Sequence, residues 1–190
     1  MTRGSGRSRI IGGNLRNSRL DVPDLPGLRP TPERVRETLF NWLAPMIAGA
    51  RGLDLCAGTG ALGIEALSRG AAGVQFVEPH PRAAQALRDN LVRLRTVGGQ
   101  VAETSAERFL AGKPVPFDIV WLDPPFDAGL WTPLAARLEQ GWLSPSAWLY
   151  VESPRDHVPE LPAHWMLHRE AHAGEVRHAL YRRVSTLPLS

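Results

Sequence analysis

A carboxylate followed by two prolines and an aromatic residue is the stretch best suited to chemistry. Asp123-Pro124-Pro125-Phe126 follows the apolar run 117–122, whose length and composition predict a buried strand. Asp123 would then lie where open α/β sheets bind their ligands. The proline carbonyls are rigidly aimed because proline fixes φ, and Phe126 adds a flat apolar face. This set would suit a planar group bearing an NH2, although it equally fits a strand end and a loop with a buried phenylalanine.

A glycine-rich turn earlier in the chain predicts a second binding element. Gly58, Gly60 and Gly63 have the spacing G-x-G-x-x-G, between a predicted strand and a predicted helix. Glycines there allow a tight turn and close approach of a ligand to the backbone. Glu78 ends the next predicted strand, where it could accept both hydroxyls of a ribose. The combination indicates an adenosine-containing cofactor.

Asp54, four residues before Gly58, indicates which cofactor. Dinucleotide enzymes hold a pyrophosphate at the helix amino terminus, and an acid close to it would repel that group. S-adenosylmethionine carries an ammonium, a sulfonium and no phosphate, so Asp54 favours it over NAD. Ser105 and Ala106 follow the third predicted strand and could border the adenine ring.

The elements that must position these residues alternate between strand and helix from Arg51 onward. Such alternation predicts βαβ units and a doubly wound α/β domain with a mainly parallel sheet. Residues 165–169 and 176–182 are predicted to close it as an antiparallel pair. We expect two parts, an arginine-rich extension at 1–44 packed on a main domain at 45–190.

The extension itself has three predicted parts. Residues 1–8 are rich in Gly, Ser and Arg and are expected to be disordered until something binds them. Residues 9–13 and 19–22 could pair as a small hairpin. Thr31 is the predicted N-cap of a helix, with Pro32 in its first position.

The basic charge of the chain is concentrated at its start. Residues 1–36 hold eight arginines and three acids, a net charge of +5, whereas the whole chain is +3, so the remainder sums to −2. Arginine suits phosphate because its planar fork donates paired hydrogen bonds. This pattern predicts contact with nucleic acid, and the simpler alternative is a solvated tail. The candidate RNA-binding residues are Arg9, Arg16, Arg19, Arg29, Arg34 and Arg36.

Composition excludes several other classes. At 190 residues, 43% hydrophobic and 22% charged, the chain is typical of a soluble globular protein. No apolar run is long enough to span a bilayer, so no membrane partner is expected. A single cysteine, Cys56, excludes an internal disulfide and fits the reducing cytoplasm, our expected location. The histidines at 164, 168 and 172 would align as metal ligands on a helix, but that segment is predicted as strand and loop, so no metal is expected.

Together these motifs resemble the class I S-adenosylmethionine-dependent amino-methyltransferases, which share the glycine loop and a D/N-P-P-F/Y tetrapeptide. More narrowly, the chain is similar to the bacterial family that methylates N2 of one guanine in 16S ribosomal RNA. The likeness runs from about Arg9 to Arg182, with one departure at His80, where an acid is expected. The stretches that carry it are residues 9–13, 27–31, 34–43, 60–63, 65–69, 123–126, 150–153 and 167–170.

The resemblance implies a Rossmann-like methyltransferase fold, with a seven-stranded sheet that ends in an antiparallel hairpin strand. It implies methylation of guanine N2 in 16S rRNA by S-adenosylmethionine, in a small-subunit particle and by a monomer. Asp123 and the Pro124 carbonyl would then hold the acceptor nitrogen, and Phe126 would stack on the base. Two alternatives remain: an amino-methyltransferase acting on DNA adenine N6 or protein glutamine, and a non-catalytic RNA-binding assembly factor.

Overall fold

The structure is a computed structural model that describes residues 7–184. Nine strands and five helices occur in this part of the chain. In chain order they are β1 (Arg7–Arg9), β2 (Arg19–Asp21), α1 (Glu33–Ile47), β3 (Arg51–Asp54), α2 (Ala61–Ser68), β4 (Gly73–Val77), α3 (Pro81–Arg93), β5 (Gly99–Ala102), α4 (Ala106–Leu110), β6 (Phe117–Leu122), α5 (Trp131–Leu138), β7 (Leu143–Pro154), β8 (Trp165–Ala173) and β9 (Val176–Arg183).

Seven of these strands form one sheet in the order β5-β4-β3-β6-β7-β9-β8. The five strands from β5 to β7 are parallel, whereas β9 runs antiparallel to both β7 and β8. This confirms the predicted mainly parallel sheet and its antiparallel closing pair. The strand order reverses between β3 and β6, and ligands of open α/β sheets bind at such a switch point.

Helices cover both faces of the sheet, as β6 shows. Ile119 and Trp121 belong to a buried cluster with residues of α1, α2 and α3. The alternate residues Val120 and Leu122 belong to a second cluster with residues of α4 and α5. Because successive side chains of a strand point to opposite faces, the two clusters lie on either side of the sheet. The doubly wound architecture is therefore confirmed.

The amino-terminal hairpin is shorter than predicted, since β1 and β2 pair over only three residues each. Its first strand also starts two residues earlier than predicted, and residues 10–13 lie outside it. Arg7 and Ser8 lie in β1, so the expected disorder of 1–8 does not extend to them, and residues 1–6 lie outside the described residues. Ile10 and Leu20 are fully buried in the same cluster as Ile64 of α2. The hairpin therefore packs on the main domain.

Helix α1 begins one residue later than predicted. Its N-cap is Pro32 instead of Thr31, and the Thr31 hydroxyl donates a hydrogen bond to Glu152 at 3.2 Å. The helix continues through Pro45 to Ile47. The boundary expected after residue 44 thus falls inside a helix.

The expectation that Arg36 contacts RNA is corrected by its position in the core. Arg36 and Glu65 form an ion pair at 3.3 Å in which both side chains have 0% exposure. Arg36 also donates to the Ser8 hydroxyl and to the carbonyls of Arg9 and Thr31. Burial lowers the pKa of Arg36, and the charge of Glu65 opposes this. Its guanidinium is engaged within the protein and cannot reach a phosphate.

The sequence also predicted that no segment spans a membrane and that three histidines near the C-terminus do not align on a helix. Between residues 7 and 184, no helix is both long enough and apolar enough to cross a membrane. His168 and His172 lie on strand β8, and His164 comes just before it, so these histidines do not share a helical face.

Candidate active site

Polar side chains mark the carboxyl ends of five neighbouring parallel strands. Because parallel strands end at the same edge of a sheet, these residues form a row whose order follows the strand order. Along the edge from β5 to β7 the row is Ser105, Glu78, Asp54, Asp123 and Glu152. The structure therefore brings the glycine loop and the Asp123 loop, predicted separately, to one site.

The two acids nearest the glycine loop hold its backbone. Asp54 accepts the N–H of Gly63 at 3.2 Å, and Glu78 accepts the N–H of Gly58 at 2.9 Å. Gly60 is the N-cap of α2 with φ 77°, and a Cβ there would overlap the side chain of Leu87. Glycine is required at this position by conformation and by space, as the motif predicted.

Glu78 fits the hydroxyls of a ribose. It is almost fully buried, and its two oxygens accept the N–H groups of Gly58 and His80. An ionised carboxylate has about four acceptor positions, so roughly two remain for a ligand. Burial raises the pKa of Glu78, and the two backbone hydrogen bonds oppose this rise.

His80, the departure from the family pattern, has a structural task. It is the N-cap of α3, and its Nδ1 accepts the N–H of Arg82 at 3.2 Å. Acids commonly cap helices, and His80 caps α3 in place of the acid expected at this position. Ser105 caps α4 by accepting the N–H of Arg108, and Ala106 is buried. Their contact with adenine stays a prediction.

Asp54 has the electrostatics of a site for a cation. Burial raises its pKa to about 7, the hydrogen bond from Gly63 opposes this rise, and the charges of Glu78 and Glu152 add to it. A cationic group nearby would favour the carboxylate, whereas a phosphate would disfavour it further. The residues present fit the ammonium of S-adenosylmethionine.

The Asp123 loop presents an aromatic ring to solvent. Asp123 is partly exposed, Pro124 is buried, and Phe126 is 40% exposed. The ring of Phe126 leans on that of Trp131, with a centroid distance of 5.9 Å. The alternative of a strand end followed by a buried phenylalanine is therefore wrong, and Phe126 is free to receive a flat ligand.

A buried polar network behind Asp123 was missed by sequence reasoning. Asp123 directly follows β6, and the register that pairs Leu122 with Val151 places it beside Glu152 on β7. Glu152 Oε1 also accepts the hydroxyl of Tyr150 at 2.8 Å, and His178 Nδ1 lies 2.8 Å from the Tyr150 oxygen. One signal was available. Residues 147–152 have the apolar pattern of a strand that ends in Glu152, and the other three acids of the row also stand at or near the ends of predicted strands.

The network shifts the two carboxyls in opposite directions. Burial, then the charge of Glu152, holds the pKa of Asp123 well above its ordinary value. Burial alone would also raise the pKa of Glu152, but His178 and the Tyr150 hydroxyl lower it below its ordinary value. The hydroxyls of Tyr150 and Thr31 donate to Glu152, which favours its unprotonated form.

The remaining candidate arginines lie on the surface. Arg9, Arg16, Arg19, Arg29 and Arg34 are exposed. Arg9 forms an ion pair with Glu33 at 3.2 Å. Contact of these five residues with RNA stays a prediction.

The sheet order, the glycine loop and the row of acids together define the class I, S-adenosylmethionine-dependent methyltransferase fold. Comparison with known proteins is more specific. The family described as "Conserved hypothetical protein 95" matches residues 8–182, and the chain belongs to that family, which includes ribosomal RNA small subunit methyltransferase D.

Individual relatives and structures agree with this assignment. The chain is 52% identical to "Ribosomal RNA small subunit methyltransferase D" of Escherichia coli strain K12, over 95% of this chain and 92% of the relative. The protein of the same name in Haemophilus influenzae is 41% identical, over 93% and 94% of the two chains. A solved structure of yhhF from Escherichia coli superimposes with a TM-score of 0.89 at 48% identity, covering 95% of this chain and 100% of that one.

Proposed function

We propose that this protein transfers a methyl group from S-adenosylmethionine to the exocyclic N2 of a guanine in 16S ribosomal RNA. The observation that carries the proposal is the position of Asp123 and the exposed Phe126 beside Asp54, at the ends of neighbouring strands β6 and β3. The shared name of the relatives supports small-subunit ribosomal RNA as the acceptor. The proposed setting is a small-subunit particle in the cytoplasm, with the protein acting as a monomer.

S-adenosylmethionine would supply an electrophilic methyl group on its sulfonium. Asp54 would bind its ammonium and Glu78 its ribose hydroxyls. Gly58 and Gly60 would allow close approach to the backbone, and Ser105 and Ala106 would border the adenine ring. Adenine, ribose and ammonium would then lie in that order along the sheet edge, from β5 through β4 to β3.

The acceptor nitrogen needs help because its lone pair is delocalised into the guanine ring. The Asp123 carboxyl and the Pro124 carbonyl would accept its two N–H groups, which favours a pyramidal nitrogen with its lone pair directed at the methyl group. Well-oriented reactants can recover about 7–11 kcal/mol of a barrier. Methylation makes the nitrogen strongly acidic, so neither a potent base nor a metal ion is needed.

Phe126 would hold the base that receives the methyl group. A guanine inside folded RNA must be turned out before its N2 can reach Asp123. Stacking of a base on an aromatic side chain contributes about 1–3 kcal/mol. The exposed ring of Phe126, supported by Trp131, is suited to this contact.

The exposed arginines of the extension are proposed to hold RNA phosphates. Replacing Arg16 and Arg19 by alanine should reduce the slope of log affinity against log salt concentration by roughly 1.5, because each lost phosphate contact removes about 0.7–0.9. The slope can be measured by filter binding to small-subunit RNA. A matched control replaces Arg108 and Arg137, which are exposed on α4 and α5, across the sheet from α1. An unchanged slope in the first variant would make the extension a solvated surface only.

The direct test supplies labelled S-adenosylmethionine with unmodified small-subunit particles, naked 16S RNA and DNA in parallel. The modified nucleoside is then identified after digestion. Label is expected in N2-methylguanine from the particle. Label in N6-methyladenine or only in protein would overturn the proposal in favour of another amino acceptor, and absence of transfer to any acceptor would favour an assembly factor without activity.

A further inference from the structure

The buried network behind Asp123 has no part in the steps above. Glu152 is 7% exposed and lies one strand away from Asp123, on β7. Three elements reach it: Thr31 before α1, Tyr150 on β7 itself and His178 on β9. Burying a carboxyl is costly unless it is hydrogen-bonded, and these three contacts offset that cost.

The register of the sheet places the two carboxyls on neighbouring strands, because Leu122 of β6 pairs with Val151 of β7 and Asp123 and Glu152 follow them. Carboxylates only accept hydrogen bonds, so two neighbouring carboxyls can bond to each other only if one of them is protonated. Two neighbouring carboxyls cannot both ionise easily, so they titrate as a pair that shares one proton until the second group ionises.

We propose that Glu152 positions Asp123 and receives, through it, the proton that the acceptor nitrogen loses. The inference rests on the proposed function, in which Asp123 contacts that nitrogen. As the N–CH3 bond forms and the S–CH3 bond breaks, the nitrogen becomes cationic. Its N–H proton passes to the outer oxygen of Asp123, while the inner proton of Asp123 moves to Glu152. The pair changes from one proton and a charge of −1 to two protons and no charge, and it returns one proton to water when the product leaves.

The surroundings fit this direction of transfer. Tyr150 and Thr31 donate to Glu152, and His178 Nδ1 lies 3.5 Å from it, so the unprotonated form of Glu152 is stabilised before the reaction. A proton shared by the pair then starts on Asp123, which lies beside Glu152 at the ends of β6 and β7. The titratable groups that face the pair are Asp54 from β3, Cys56 just after it, Tyr150 from β7 and His178 from β9.

The test is a carbon-13 NMR titration of the side-chain carboxyls in the protein without RNA, with Asp123→Asn used for assignment. In the wild-type protein Asp123 and Glu152 should titrate in two linked steps. In Glu152→Gln the Asp123 midpoint should move to lower pH, because a negative neighbour is removed. Asp127→Asn, an exposed carboxyl in the same loop, should leave both midpoints unchanged.

A second variant distinguishes the expected shift from misfolding of Glu152→Gln. Tyr150→Phe keeps the ring but removes a donor to Glu152, so both midpoints of the pair should move to higher pH. The two variants are thus expected to shift the titration in opposite directions, which a general loss of structure would not produce. Unchanged midpoints in both variants would overturn the proposal.

Activity provides an independent readout. Glu152→Gln should lower kcat by roughly 10²-fold, the lower end for proton-transfer catalysis, with KM for RNA little changed. Its pH–rate profile should shift in the same direction as the Asp123 midpoint. A normal kcat with an unshifted profile would overturn the transfer step. If wild-type protein methylates another acceptor, the proposed function fails while the NMR result for the pair still stands.

Discussion

Replacing Asp123 by alanine is expected to lower kcat by on the order of 10²- to 10⁴-fold, the range for loss of a positioned proton acceptor. The variant loses the carboxyl that would hold the acceptor nitrogen and take its proton. S-adenosylmethionine affinity should change little, since the proposed cofactor contacts belong to Asp54, Glu78 and the glycine loop. Single-turnover transfer to small-subunit particles gives the rate, and titration calorimetry gives the affinity.

Two variants control this result. Asp123→Asn retains an oxygen that can accept an N–H, so its loss should be smaller than that of alanine. Asp127→Ala removes an exposed carboxyl four residues further along the chain and should leave kcat unchanged. If Asp123→Ala weakened cofactor binding as much as it slowed transfer, Asp123 would be chiefly a cofactor residue.

The sheet and the row of acids were predictable because each depends on local pattern. Apolar runs of strand length, separated by helical periodicity, determine a parallel sheet with few possible topologies. Its carboxyl ends must then share one edge. Asp54, Glu78 and Asp123 could thus be placed near one another before the structure was known, although each is far from the next in the chain.

The network around Glu152 depended on contacts that no local pattern contains. Tyr150 and His178 are 28 residues apart, and Thr31 is 121 residues from Glu152. Only the pairing of β7 with β9 places His178 opposite Glu152. The sequence indicated an acid at a strand end, but not the partners that set its ionisation.

Arg36 shows a different limit of sequence reasoning. It lies off the apolar stripe of α1, which predicts a surface position for a charged residue. It is buried because Glu65, 29 residues away, supplies the opposite charge. Hydrophobic periodicity cannot predict a buried ion pair, because burial of either partner depends on the other.

The Arg36–Glu65 pair also joins three of the stretches that carry the family resemblance. Glu65 accepts the N–H groups of Ile11 and Gly12, and Arg69 also pairs with it, at 3.0 Å. Gly13 has φ 78°, and a Cβ there would overlap the carbonyl of Ser68. Residues 9–13, 34–43 and 65–69 thus meet at one buried junction. These stretches attach the basic hairpin to α2, so their residues have a structural role.

Replacing Glu65 by alanine should therefore destabilise the protein by about 3–5 kcal/mol, the cost of leaving a buried charge unpaired. Arg36 would keep its charge in the core, and the N–H groups of Ile11 and Gly12 would lose their acceptor. Urea unfolding followed by circular dichroism measures the change.

The matched comparison is Glu103→Ala, which breaks an exposed ion pair with Arg88. That pair has a similar separation of 3.4 Å, but its side chains are 39% and 40% exposed. Exposed pairs contribute about 0–1 kcal/mol, because water solvates the separated charges. Equal losses for Glu65→Ala and Glu103→Ala would mean that the junction is not held by the buried pair. A large loss for Glu65→Ala alone, with weaker RNA binding below the unfolding transition, would show that this pair also holds the hairpin that carries the exposed arginines in its place on α2.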